Sequence, residues 1–148
     1  MPTIERTIVT TAAPETVWDY LSDFTNTNEW DPGTVRTVRV AGSGGVGTTY
    51  ENTSKFLGRE TKLIYTVVES NAPIRLQLRG INDQVTATDT MTFTAVGTGT
   101  QVHYLADLQF KGLLGRADPL LSLPGLNYPF KQLGDGAERG IRTALARL

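Results

Sequence analysis

Hydrophobic and polar residues alternate along the middle of the chain, the pattern of strands that bury one face. Across residues 50–110, apolar side chains recur at every second position within each segment, and successive side chains of a strand point to opposite faces. Turn-forming residues interrupt the pattern at Gly58-Arg59, at 70–73, at 80–83 and at Gly97-Thr98. The region is therefore predicted to form antiparallel strands joined by short connections.

The first and last of these turns predict how the strands pair. Two-residue hairpin turns favour glycine at their first central position. On that basis the first hairpin places Asn52 opposite Tyr65, and the last one places Asp89 opposite Ala106. Each pairing also assigns both residues to the same face of the sheet.

The two connections in between place Tyr65 opposite Leu78 and Asp89 opposite Ile74. All four registers agree on which face is buried, as a sheet with one dry and one wet face requires. The predicted inner face contains Tyr50, Asn52, Ser54, Phe56, Leu63, Tyr65, Val67, Ile74, Leu76, Leu78, Ala87, Asp89, Met91, Phe93, Val102, Tyr104, Ala106, Leu108 and Phe110.

The flanking segments predict two further strands and the helices. Residues 3–11 and 34–40 are rich in β-branched residues and indicate strands. Pro14 opens a short amphipathic helix, and a second short helical region ends at the sequence Trp30-Asp31-Pro32-Gly33. Apolar residues at helical spacing predict a terminal helix over 129–147 that covers the dry face.

Three glycines, Gly134, Gly136 and Gly140, fall inside this terminal helix. Each lowers helix stability by roughly 1 kcal/mol relative to alanine. Two explanations for these glycines remain open: the helix approaches the sheet closely, or the helix is built to move.

Composition narrows the function. The chain has 148 residues, a net charge of −1 and no cysteine, which fits one domain over residues 1–148 and excludes a disulfide scaffold or thiolate metal site. The near-neutral charge provides no broad basic surface that would attract nucleic acid, so nucleic-acid binding is not expected. No membrane-spanning run or signal-peptide pattern occurs, so a cytoplasmic location without membrane insertion is expected. His103, the single histidine, is predicted to face outward, and no metal or other cofactor is expected.

The order of these features resembles the polyketide cyclase/dehydrase-like branch of the START-related (SRPBCC) superfamily, which also contains the birch-pollen-allergen-like proteins. The resemblance rests on the strand, the Pro14 helix with Val17-Trp18, Trp30-Asp31-Pro32, the glycine loop at 42–47, the strands ending in Gly97-Thr98, and the long final helix. It implies an α+β helix-grip fold, with about seven curved antiparallel strands around the C-terminal helix and two short helices after the first strand. It also implies an internal cavity for an apolar molecule. The Pro-containing segment 121–130 departs from the family pattern.

Asp89 is the first candidate for site chemistry, because it falls in the middle of the predicted dry face. A buried carboxyl group must be paired or protonated, so its pKa can rise into the range of a general acid or base. Arg6, which alternates with Ile4 and Ile8, is a possible inward-facing partner. The alternative is a purely structural hydrogen bond or ion pair.

The remaining candidate residues lie on the same inner face, on the terminal helix or, for Trp30, at the end of the second short helical region. They would supply either the core or the wall of a ligand pocket. They are Trp30, Tyr50, Asn52, Tyr65, Leu76, Met91, Phe93, Tyr104, Phe110, Phe130 and Leu133.

Three functions are compatible with this sequence. The leading hypothesis is a protein that binds a hydrophobic small molecule of lipid, polyketide or aromatic type between sheet and helix. The alternative is a polyketide cyclase- or dehydratase-like enzyme that uses Asp89 and cavity tyrosines, which requires Asp89 and a tyrosine hydroxyl to meet inside the cavity. The third is a partner-binding domain with a filled core. The sequence leaves the choice between monomer and homodimer open.

Overall fold

A computed structural model describes residues 2–56, 58–112 and 128–148. The described residues form a seven-stranded antiparallel sheet with the order β1-β7-β6-β5-β4-β3-β2. The strands are β1 (Thr3–Thr10), β2 (Thr34–Ala41), β3 (Thr49–Phe56), β4 (Arg59–Asn71), β5 (Arg75–Ile81), β6 (Val85–Val96) and β7 (Gly99–Phe110). The helices are α1 (Pro14–Leu21), α2 (Thr27–Trp30) and the long C-terminal α3 (Tyr128–Leu145), with one 3₁₀ turn at Phe24–Asn26. The predicted helix-grip fold is confirmed.

The hairpin between β6 and β7 has the predicted register. Asp89 lies opposite Ala106, and Val96 pairs with Gly99 at the end of the hairpin. Gly97 has a φ of +61°, a left-handed conformation that glycine adopts without steric cost. The turn chemistry was therefore enough to predict this pairing.

The register predicted between β3 and β4 is wrong by two residues. Asn52 lies opposite Leu63 rather than Tyr65, and the last pair of the hairpin is Phe56 with Arg59. The turn therefore ends at Gly58, whose φ is +78°. Glycine takes the second central position of this turn and not the first, which accounts for the shift.

The two registers around β5 are also wrong. Tyr65 lies opposite Gly80, and a bulge interrupts the ladder after Val67. Gly80 belongs to β5 and not to a loop. Glycine is needed there because a Cβ atom would come within 2.7 Å of the Tyr65 ring. Asp89 consequently lies opposite Leu78 instead of Ile74.

At the pairs named here each error is an even number of residues, so the predicted inner residues remain on the inner face. Since side chains alternate with a period of two, a shift of two or four positions keeps a residue on its side of the sheet. Ile74 is the exception among the predicted inner residues: it precedes β5 and is 52% exposed.

Helix α3 packs against β1 and α2, and glycines allow the close contact. A Cβ atom at Gly140 would overlap the Trp30 carbonyl oxygen, and one at Gly134 would lie 2.8 Å from Arg6 and Ile4. Close approach is thus the explanation that the contacts support. The predicted break at 121–130 lies mostly outside the described residues, and Pro129 stands in the first turn of α3.

Arg6 does not pair with Asp89. Its guanidinium Nη2 donates to Asp135 Oδ1 on α3 at 2.9 Å, and Lys131 donates to the other carboxylate oxygen at 2.8 Å. Arg6, which was expected to pair with Asp89, instead joins β1 to α3.

A buried polar network fixes α2 against the sheet. The hydroxyl groups of Thr27 and Thr37 are hydrogen-bonded at 2.6 Å, and the Asn52 amide donates to Thr37 Oγ1 at 2.8 Å. Asn28 pairs with both backbone groups of Thr37. These bonds satisfy groups that would otherwise be costly to bury, and they determine where Trp30 and Asp31 lie.

Candidate functional site

The described residues enclose a cavity of about 350 Å³ between the inner face of the sheet and α3. Its wall is formed mainly by apolar and aromatic side chains, with a small number of polar groups. The lining residues are Ile4, Phe24, Thr27, Trp30, Asp31, Gly33, Asn52, Ser54, Lys55, Phe56, Arg59, Thr61, Leu63, Tyr65, Gln84, Val85, Ala87, Asp89, Tyr104, Ala106, Leu108, Phe110, Phe130, Leu133 and Ala137.

Eight of the candidate residues from the sequence meet in this wall. They are Trp30, Asn52, Tyr65, Asp89, Tyr104, Phe110, Phe130 and Leu133. They come from β3, β4, β6, β7, α2 and α3, so the fold brings together residues as far apart in the chain as Trp30 and Leu133.

Four other candidates, Tyr50, Leu76, Met91 and Phe93, are buried but do not line the cavity. Phe93 packs edge-to-face on Trp18 of α1, with ring centroids 5.5 Å apart. Helix α1 covers the inner face of the sheet at this end of β6. Residues that point inward there are therefore packed in the core and do not line the cavity. Side-chain alternation alone carries no information about which end of a strand is covered.

Asp89 and Tyr104 form the polar centre of the cavity. The Asp89 side chain is buried, with 6% of its surface exposed, and the Tyr104 hydroxyl donates to its Oδ2 at 3.0 Å. The meeting of Asp89 with a tyrosine hydroxyl, on which the enzyme alternative depends, is thus present. Trp30 packs edge-to-face on the same tyrosine ring, with centroids 5.9 Å apart.

The surroundings of Asp89 favour its neutral form. Burial raises the pKa of Asp89 to about 7, the negative charge of Asp31 adds to the rise, and the hydrogen bond from Tyr104 opposes it. Burial likewise holds the pKa values of the Tyr65 and Tyr104 hydroxyl groups well above their usual range, and the nearby carboxylates reinforce this. At neutral pH Asp89 can therefore both accept and donate a proton, whereas the two phenols stay protonated.

Asp31 is a second carboxyl group in the wall, and the sequence did not identify it as a site residue. Its Oδ1 accepts from the Gly33 amide at 3.0 Å and its Oδ2 from the Thr34 hydroxyl at 2.8 Å. Burial raises the pKa of Asp31, and both hydrogen bonds act in the opposite direction. An Asp followed by Gly at i+2 is a recognisable turn signal, but it does not reveal that the turn faces a cavity.

Asn52 holds the wall next to α2 through its hydrogen bonds. Besides its bond to Thr37, its carbonyl Oδ1 accepts from the Ser54 hydroxyl at 2.6 Å. These groups satisfy one another, so Asn52 has a structural role in the form described here.

Aromatic rings and two basic residues line the end of the cavity near the β3–β4 hairpin. The Phe130 ring lies 5.2 Å from Phe56 and 6.1 Å from Phe110, measured between centroids. Arg59 and the backbone of Lys55 contribute to this end, and both residues are exposed to solvent. The acidic groups thus lie inside the cavity and the basic ones near its surface.

The part of the chain that the structure describes contains no group of three or more His, Cys, Asp or Glu side chains that could hold a metal ion. His103 lies outside the cavity, within 3.3 Å of Glu5. None of the described helices is long and apolar enough to cross a membrane.

This arrangement can bind an apolar molecule of moderate size and orient it through one polar end. It can also place a carboxyl group that titrates near neutrality next to a bound molecule, with tyrosine hydroxyl groups as additional donors.

A family model described as "Polyketide cyclase / dehydrase and lipid transport" matches residues 1–147. This confirms the family resemblance seen in the sequence. A search of curated proteins finds no match.

Solved structures share the fold at low sequence identity. The ZhuI aromatase/cyclase from Streptomyces sp. R1128 is 12% identical with a TM-score of 0.79, covering 97% of this chain and 93% of its own. A START superfamily protein from Mycobacterium smegmatis is 15% identical with a TM-score of 0.73, covering 97% and 96%. Ara h 8.0201 is 15% identical with a TM-score of 0.67, covering 97% of each chain. At these identities the likeness establishes the fold alone.

Proposed function

Because the chain belongs to the polyketide cyclase / dehydrase and lipid transport family, we propose that it binds a hydrophobic small molecule of lipid, polyketide or aromatic type between the sheet and α3. The observation that carries this proposal is the cavity of about 350 Å³ with a mainly apolar wall. Ligand pockets usually have this volume and combine an apolar wall with a few placed polar groups. Asp89, Tyr65 and Tyr104 supply those groups.

Co-purification tests this proposal first. Native mass spectrometry of the gently purified full chain should detect a bound species, and denaturation should release a hydrophobic compound that can be identified. A protein that carries nothing and that also fails to bind an apolar fluorescent dye would contradict ligand binding and favour a filled core.

A second candidate function has one observation in its favour. The Tyr104–Asp89 hydrogen bond of 3.0 Å and a carboxyl pKa of about 7 suit general acid–base chemistry at neutral pH. In a dehydration that forms an aromatic ring, the Asp89 carboxylate would take the proton from the carbon next to a ketone. The carbon–carbon double bond would form as the β-hydroxyl group leaves as water with that same proton, which returns Asp89 to its carboxylate form.

The enzyme proposal is tested with a bicyclic β-hydroxy ketone whose loss of water produces an aromatic absorbance. Asp89→Asn should lower the rate by about 10²–10⁴-fold, the usual contribution of a positioned acid or base. Asp107→Asn is the matched control, because Asp107 alternates with Ala106 and Leu108 of the cavity wall and so lies on the outer face of β7. Turnover by Asp89→Asn within a few fold of the unaltered chain would exclude Asp89 as the acid or base.

A further inference from the structure

The acidic side chains of the cavity lie inside it, and its basic side chain lies near the surface. Asp89 and Asp31 lie within the cavity, and Asp31 is close enough for its charge to act on Asp89. Arg59, which pairs with the wall residue Phe56, lies at its exposed end. A bound molecule therefore meets two acidic groups at its inner end.

Asp89 lacks a cationic partner in the described part of the chain. Its single hydrogen bond there comes from Tyr104, and none of the ion pairs among these residues includes it. Arg6, the basic residue that alternates with Ile4 and Ile8 on β1, is bound to Asp135 instead. A buried carboxylate without a counter-charge is costly, and a cation that enters the site removes that cost.

Aromatic rings surround the same inner end. Trp30, Tyr65 and Tyr104 line the cavity together with Phe24, and the rings of Phe24 and Tyr65 lie 4.8 Å apart between centroids. The face of an aromatic ring attracts a cation, most strongly where water is excluded. A carboxylate next to such rings is a combination that favours an ammonium group over an anion or a neutral alcohol.

We propose that the inner end of the cavity binds the ammonium group of a hydrophobic amine, whose apolar body extends along α3 toward Phe130. This inference rests on the proposed binding function and specifies its ligand class. Molecules with a carboxylate at the inner end are rejected, because Asp31 and Asp89 repel them in a desolvated site.

Three probes with the same naphthalene ring and different polar groups test the inference: 1-naphthylmethylamine, 1-naphthylmethanol and 1-naphthoate. Their affinities for the full chain are measured by isothermal titration calorimetry at pH 7.5, where the amine is protonated. The amine should bind at least about tenfold more tightly than the alcohol, a difference of about 1.4 kcal/mol. Naphthoate should bind more weakly than both.

Variants then identify the responsible group. Asp89→Asn should bring the amine within about threefold of the alcohol and leave the affinity for the alcohol nearly unchanged. The control Asp107→Asn, on the outer face of the sheet, should keep the preference for the amine. Since the comparison of the three probes uses the unaltered chain, it is decisive even where a variant folds poorly.

The outcomes separate the two proposals. Equal or tighter binding of the alcohol or of naphthoate overturns the preference for an amine and leaves ligand binding intact. Absence of binding for all three probes, in a protein that also carries no co-purified compound, overturns both. A preference for the amine that persists in Asp89→Asn overturns the role of this carboxyl group.

Discussion

The carboxyl group of Asp89 links the stability of the protein to pH. Its pKa is about 7 in the folded chain against about 3.9 for an unperturbed aspartate, so the folded state binds the proton more tightly. The free energy of unfolding therefore falls by up to roughly 4 kcal/mol as pH rises from about 4 through 7. Above that range the titration of Asp89 changes stability little.

Asp89→Asn removes this titration while it keeps the size of the side chain. In urea denaturation, the variant should gain stability relative to the unaltered chain as pH increases from 4 to 8. Asp107→Asn controls for the change in net charge. Parallel pH profiles for Asp89→Asn and the unaltered chain would show that the carboxyl group titrates normally in the folded state.

At this scale alternation placed three polar candidates on the inner face, but the sequence missed Asp31 on a turn and Thr61 on β4. Asp89, Tyr65 and Tyr104 follow from alternation, because each occupies an inner position of a long strand. Asp31 could not be predicted, since its side chain faces the cavity only through the turn that Gly33 and Thr34 stabilise.

Helix α3 forms one side of the cavity wall and packs closely on α2. Gly140 makes this approach possible: a Cβ atom there would collide with the Trp30 carbonyl oxygen, which belongs to backbone and cannot move aside like a flexible side chain. Gly140→Ala should destabilise the protein by about 1–3 kcal/mol, the typical cost of overpacking. The expected sign is opposite to that at an exposed helix position, where replacing glycine with alanine raises stability by roughly 1 kcal/mol.

The measurement is equilibrium unfolding by urea, with Arg139→Ala as the control. Arg139 neighbours Gly140 in α3 and is exposed, so its replacement should alter stability by about 0.5 kcal/mol or less. If Gly140→Ala raised stability, the helix would have room to retreat from α2, and a mobile α3 would become the better explanation of its glycines.

Among the elements, the faces of the sheet could be predicted from the sequence and three of its registers could not. The face depends only on whether a position is odd or even, and the errors at β3–β4, at β5–β6 and at β4–β5 up to the bulge after Val67 are all even. The register depends on details such as Gly80, which leaves room for the Tyr65 ring. Its position inside β5 is clear only once the strands are paired.

The whole molecule contains both a solid and a hollow region beneath the same sheet. At one end α1 packs Trp18 against Phe93 of β6. Around Asp89 the sheet and α3 enclose the cavity instead. The pattern of hydrophobic residues is the same in both regions, so the sequence predicted a dry face but not where that face is filled.

Two alanines of α3 distinguish the regions experimentally. Ala137 lines the cavity and Ala144 does not, although both are buried to the same degree. Ala137→Leu places its added carbons in empty space and should leave stability unchanged or higher, with at least tenfold weaker binding of an apolar dye. Ala144→Leu has no such space and should cost about 1–3 kcal/mol.

Urea unfolding and dye titration of both variants check this contrast between the two positions. Equal destabilisation by the two substitutions would mean that the space next to Ala137 is already filled in solution. The proposed ligand would then have no room beneath α3, and the buried Asp89–Tyr104 pair would have to be explained as part of the core.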